Sequence, residues 1–185
     1  MGTFQSSKIG RAATACLLAA AVGCVQVPLS SSTAPPELAA APPPSDCELA
    51  RAKVVQAINE ARASDRTCGG SHMSAAPPLE WNLQLFWAAE QHARDMAWRD
   101  YFEHRSPAGD SVRERVRAQD YWWQHVGENL AGGTNTLDRT VQAWLESPSH
   151  CANLMRPDYE EMALACVKRP GTEFENYWTL VMARK

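Results

Sequence analysis

The chain has 185 residues, of which 45% are apolar and 21% charged, with a net charge of -3. That apolar share supplies a core and rules out a chain that is unfolded throughout, while an acidic balance with no basic run argues against nucleic acid as a partner. All seven tryptophans lie between Trp81 and Trp178, which places the core in the C-terminal three quarters.

The first residues read as an export signal. Lys8 and Arg11 form a basic start and Ala12 to Val22 an uncharged apolar run too short to span a bilayer. Ala21-Val22-Gly23-Cys24 resembles the lipobox of bacterial lipoproteins, which implies cleavage before Cys24 and lipidation of its side chain. Ordinary signal-peptidase cleavage is the alternative. Residues 1–23 are thus assigned to a signal peptide and 24–46 to a lipidated cysteine with a Pro- and Ala-rich tether, which includes Pro28, Pro35, Pro36 and Pro42 to Pro44. Such a tether has too few large apolar groups to repay its ordering entropy. Val25 is not the Asp that retains lipoproteins at an inner membrane, so the expected location is the cell envelope, at the outer membrane if the host has two; a periplasmic or secreted protein is the other possibility. Loss of Lys8 and Arg11 removes two positive charges and leaves -5.

The globular part is expected over 47–185. It carries Cys47, Cys68, Cys151 and Cys166. An even count in an exported chain argues for disulfides over free buried thiols, and three pairings are possible. Short loops favour Cys47–Cys68 with Cys151–Cys166.

Glu48 to Ala63 has helical apolar spacing through Leu49, Ala52, Val55 and Ile58, with Arg51, Asn59 and Arg62 turned toward solvent. A polar stretch follows. Asn82 can cap a second helix running to about Tyr101, whose apolar arc is wide enough to sit between layers. Glu90 falls inside that arc and needs a partner if buried. Ser111 and Glu114 have capping-box spacing for a short third helix. Further helices are expected over Leu137 to Leu145 and from Ser147-Pro148 onward, the latter carrying His150 and Asn153. Glu161 to Lys168 and Asn176 to Ala183 read as strands joined by a turn at Pro170-Gly171-Thr172, an antiparallel pair. Helices with a small antiparallel sheet make an α+β domain.

Polar, proton-binding residues recur within apolar sequence at Tyr101-Phe102-Glu103-His104, at a turn formed by Gly127-Glu128-Asn129, and at Trp144 with Ser147-Pro148-Ser149-His150 and Asn153. With Leu79-Glu80-Trp81-Asn82 and Tyr177-Trp178-Thr179, this ordered series resembles the CAP superfamily (SCP, or pathogenesis-related-1-like, domains), most closely its bacterial branch. The resemblance implies a three-layer α-β-α sandwich with a central antiparallel sheet and a shallow cleft lined by two histidines and two acids, where some members hold zinc. His104 matches the first histidine and Glu128 the acid of Gly-Glu-Asn. Ser147 stands where a second acid is expected and Tyr177 where the late histidine falls, so His150 becomes the candidate second imidazole.

His104, Glu128, His150 and Tyr177 are therefore the candidate cleft residues, with His104, Glu128 and His150 the candidate ligands of a divalent ion such as zinc. Asn129 is expected to tie backbone together, and His72, His92 and His125 to be structural or exposed. Ser149 beside His150 is no nucleophile pair, because adjacent helical residues do not face each other. Three functions are compatible with this set. The first is a non-catalytic envelope module that binds a lipid, a small apolar or amphipathic ligand, or a partner protein. The others are a metal-assisted hydrolase of peptide or cell-wall bonds and a tethered structural protein with a vestigial cleft.

Overall fold

The computed structural model describes Cys47 and residues 50–185, so the signal segment, the tether and the Cys24 lipidation site lie outside the described residues. Helix α1 (Arg51–Arg62) buries Val54, Ile58 and Ala61. Helix α2 (Leu83–Arg99) begins at Asn82, whose side-chain oxygen accepts from the amides of Gln84 and Leu85 at 2.8 and 3.1 Å. It ends where Asp100 turns left-handed at φ 53°. Helix α3 (Val112–Arg117) carries the expected capping box, α4 (Leu137–Glu146) is capped by Thr136, and α5 (Pro148–Leu154) starts with proline in its first turn.

Strands β4 (His125–Gly132), β5 (Glu161–Lys168) and β6 (Asn176–Arg184) form an antiparallel sheet in the order β4-β6-β5. The two residues of β3 (Glu80–Trp81) extend it alongside β5 in parallel, so the central sheet is mixed at one edge rather than wholly antiparallel. Alternation along β6 separates two cores. Tyr177, Val181 and Ala183 face α2, while Trp178, Leu180 and Met182 face α1, α4 and α5. The α+β sandwich follows from these two apolar faces. Small residues let α2 sit close: Ala88, Ala89, Ala93 and Ala97 are fully buried in one core with Ala163, Ala165 and Ala183 of the sheet.

Three expectations are corrected. The disulfides join Cys47 to Cys166 and Cys68 to Cys151, not Cys47 to Cys68 and Cys151 to Cys166. Proximity in sequence misleads here because residues 66–73 form a hairpin of β1 (Arg66–Cys68) and β2 (Ser71–Met73), and Cys68 and Cys151 share a small buried cluster with Met155 of the α5 end. The hairpin turn is close against α5: a Cβ on Gly69, at φ +59°, would stand 2.5 Å from Pro148 Cβ. The polar stretch after α1 is thus a clamp. Second, Gly127-Glu128-Asn129 lies within β4 and is not a turn. Third, Arg62 points inward and is fully buried, donating to the carbonyls of Pro77, Leu154 and Arg156. Those acceptors replace the water it loses, and burial lowers its pKa to about 10.

Candidate functional site

Because strand side chains alternate, the three residues Gly127-Glu128-Asn129 serve two faces of β4. Glu128 points to the α2 and α3 side, and only 2% of its side chain reaches solvent. Its Oε2 accepts from Arg115 Nη2 at 2.6 Å and its Oε1 from His104 Nδ1 at 2.8 Å. A carboxylate accepts and cannot donate, so the imidazole proton sits on Nδ1 and Nε2 is the ring atom left for other partners. The His104 side chain is 59% exposed, and the buried carboxylate therefore presents one imidazole to solvent.

On the opposite face, Asn153 and Tyr159 fill the space that Gly127 leaves. A Cβ on Gly127 would lie 2.1 Å from Tyr159 Oη and 2.6 Å from Asn153 Oδ1. The Tyr159 hydroxyl donates to Asn153 Oδ1 at 2.8 Å, and Asn153 Nδ2 donates to Asn129 Oδ1 and to the Glu128 carbonyl. Asn129 Nδ2 then donates to the carbonyl of His150 at 3.0 Å. The motif fixes Glu128 from behind and ties α5, with His150, to the sheet edge. This is the backbone-tying role expected of Asn129.

His104 stands in the segment between α2 and α3. Ser106 N donates to Asp110 O and Gly109 N to Ser106 O, which closes the turn after it. Arg115, 8% exposed, reaches from α3 to the carbonyls of His104 and Asp110 as well as to Glu128. Arg115 is the member of this cluster that sequence reasoning missed. Its signal was an arginine next to Val116 on the inward side of a six-residue helix.

His150 is half-buried, and its pKa lies below the ordinary value because burial and then the nearby His104 disfavour its charge. Tyr177 is not brought to the cluster. It pairs with Gly132, four residues along β4 from Glu128 and therefore roughly 13 Å away, and its hydroxyl donates to Asp100 Oδ1 at 3.0 Å. Glu90 pairs with Arg94 one turn on, and His72 lies on the exposed hairpin near Asp65. His92 is buried and bonds the Glu103 carbonyl.

Glu128 is turned away from a metal position. Both Glu128 oxygens already accept hydrogen bonds, one from a guanidinium that repels a cation, and among the described residues no three His, Cys, Asp or Glu side chains group closely enough to ligate one. Two solvent-open grooves, of about 510 Å³ beside Lys53 and Leu137 and about 730 Å³ beside Asn135 and Arg139, share no residue with the cluster.

Residues 55–182, which contain every member of this cluster, match the family described as CAP, the cysteine-rich secretory protein family. The chain belongs to the CAP family. This CAP domain is 26% identical over 125 residues to the uncharacterized protein YkwD of Bacillus subtilis, a match covering 68% of this chain and 45% of YkwD. An extracellular protein of Bacillus anthracis containing an SCP domain superposes with a TM-score of 0.53 at 27% identity, over 60% of this chain and 35% of that one. An outer surface protein of Borrelia burgdorferi, 19% identical with a TM-score of 0.57 over 72% of this chain and 88% of its own, shares the fold. The CAP domain thus spans less than half of the first two relatives. Among the described residues no helix is long and apolar enough to cross a membrane.

Proposed function

We propose that this is an exported, envelope-anchored CAP module that binds without turnover, holding a small apolar or amphipathic ligand, a lipid or a partner protein beside His104. The observation that carries this reading is the closed state of Glu128. Its two oxygens accept from Arg115 and His104 and only 2% of its side chain reaches solvent, so this acid is turned away from a metal or an attacking water. The cluster presents instead the Nε2 edge of His104, with half-buried His150 nearby, as the polar handle of a site. Extracellular and outer-surface relatives support the exported part of the reading, and Cys24 supplies the anchor in it.

The test is calorimetric titration of the full chain with decanoate and with a lysophospholipid, in parallel with incubation on a peptide library and on peptidoglycan fragments. Saturable binding weakened at least tenfold in His104→Ala, with no cleavage product, is expected. Cleavage that disappears in His104→Ala would overturn the reading in favour of a hydrolase, for which the carboxylate-oriented imidazole would be the base.

A further inference from the structure

His92 lies on α2, only 1% exposed, outside the cluster that meets solvent. Its Nε2 stands 2.9 Å from the carbonyl of Glu103. A carbonyl only accepts, so Nε2 carries the proton and the neutral ring leaves Nδ1 bare. Nδ1 is buried with no hydrogen-bond partner among the described residues, and burial holds the ring's pKa below its ordinary value.

The next carbonyl along the chain, that of His104, accepts from Arg115 Nη1 at 3.2 Å. Two successive peptide carbonyls are therefore gripped from beneath by two buried side chains, one on α2 and one on α3. The grip matters because the His104 ring has little packing of its own. An exposed ring keeps one orientation only if its backbone is fixed at the distance where Nδ1 meets Glu128.

We propose that His92 is the positioning residue of the His104 site: by donating to the Glu103 carbonyl it sets the peptide from which His104 reaches Glu128. This rests on the reading that the site centres on His104, and not on any ligand. A packing role makes a different demand. The His92 ring stands edge-on to Tyr101 with centroids 6.2 Å apart, so a residue valued for packing would be replaced well by Phe and poorly by Gln. A positioning residue reverses that order, since Gln keeps an N–H donor able to reach the carbonyl and Phe keeps only the ring.

The experiment is NMR of the full chain with labelled histidines, following the Nδ1 proton of His104, assigned by its loss in His104→Ala. Its exchange with water should be unchanged within twofold in His92→Gln and at least tenfold faster in His92→Phe. Ile58→Ala, a core truncation in α1 on the other side of the sheet, controls for lost stability and should leave the exchange unchanged. A slow proton in both His92 variants overturns the proposal, as does equal loss in His92→Phe and Ile58→Ala. Should His92→Phe not fold, loss of the slow proton in folded His92→Gln overturns it alone. Ligand binding enters none of these readouts, so the proposed function can fail while the positioning role stands.

Discussion

Arg115 Nη2 stands 2.6 Å from Glu128 Oε2, with 8% and 2% of the two side chains exposed. This pair is the rigid floor of the site, and its two charges are hidden from water together. Removing Arg115 leaves the Glu128 carboxylate buried with only the His104 N–H as a partner and no buried counter-charge. Arg115→Ala should therefore cost about 3–5 kcal/mol in chemical denaturation, well beyond the effect of an exposed pair such as Arg156–Asp158. Arg115→Lys should recover only part of this, because one ammonium cannot reach Glu128 and the His104 and Asp110 carbonyls in the fork geometry of a guanidinium. A loss below about 1 kcal/mol in Arg115→Ala, the scale of an exposed pair, would show that the pair is open to solvent.

Gly127 is set by the bond behind it. Alanine there would place Cβ inside the contact distance of Tyr159 Oη and Asn153 Oδ1, and one of them must move. Gly127→Ala is expected to destabilise by about 1–3 kcal/mol. Tyr159→Phe removes the nearer atom, so the two changes together should cost less than the sum of each alone by more than about 0.5 kcal/mol in a double-mutant cycle. Additive costs would mean that the strand, not Tyr159, gives way.

Much of this was legible in the sequence, and the misses share a cause. The caps at Asn82 and Ser111, the proline opening α5, and strands β5 and β6 are local signals, and each stands where the residues placed it. His104 and Glu128 were likewise readable from their motifs, and the structure joins them directly. What failed depended on distant partners. The pairing of Cys68 with Cys151 requires knowing that the hairpin folds onto α5; the inward turn of Arg62 requires carbonyls from Pro77, Leu154 and Arg156; β4 resembles a turn until β6 is beside it. Tyr177 aligned with a site position, yet it extends toward Asp100 instead.

The two disulfides close loops spanning 119 and 83 residues. In the chain-entropy account such loops stabilise by about 4.9 and 4.6 kcal/mol when each is closed alone, and by less than the sum together because the shorter loop lies inside the longer. Digestion without reductant should yield cross-linked peptides containing Cys47 with Cys166 and Cys68 with Cys151; a Cys47–Cys68 peptide would refute the assignment. Replacing Cys68 and Cys151 together by Ser should lower the melting temperature and loosen the β1–β2 hairpin against α5. Amide exchange over 148–154 should then rise more than in the Cys47→Ser, Cys166→Ser variant, because only the former pair anchors the helix that carries His150.

Histidine burial gives the domain an acid-side weakness with a definite sign. The pKa of His92 is lowered first by desolvation; Glu128 and Asp95 nearby and the Glu103 carbonyl oppose that shift, and Arg115 reinforces it. The pKa of His150 is lowered by burial and by His104. Both rings bind protons more readily unfolded, where the ordinary value is about 6.5, than folded. Their contribution to stability is thus complete above that value and is lost as pH falls from it through the folded pKa values. The melting temperature should be flat above about pH 7 and fall as the pH drops below about 6.5. His92→Gln, which cannot take up a proton, should flatten part of that fall, and His92→Gln with His150→Gln should flatten more. An unchanged slope in the double variant would assign the loss to carboxylates instead.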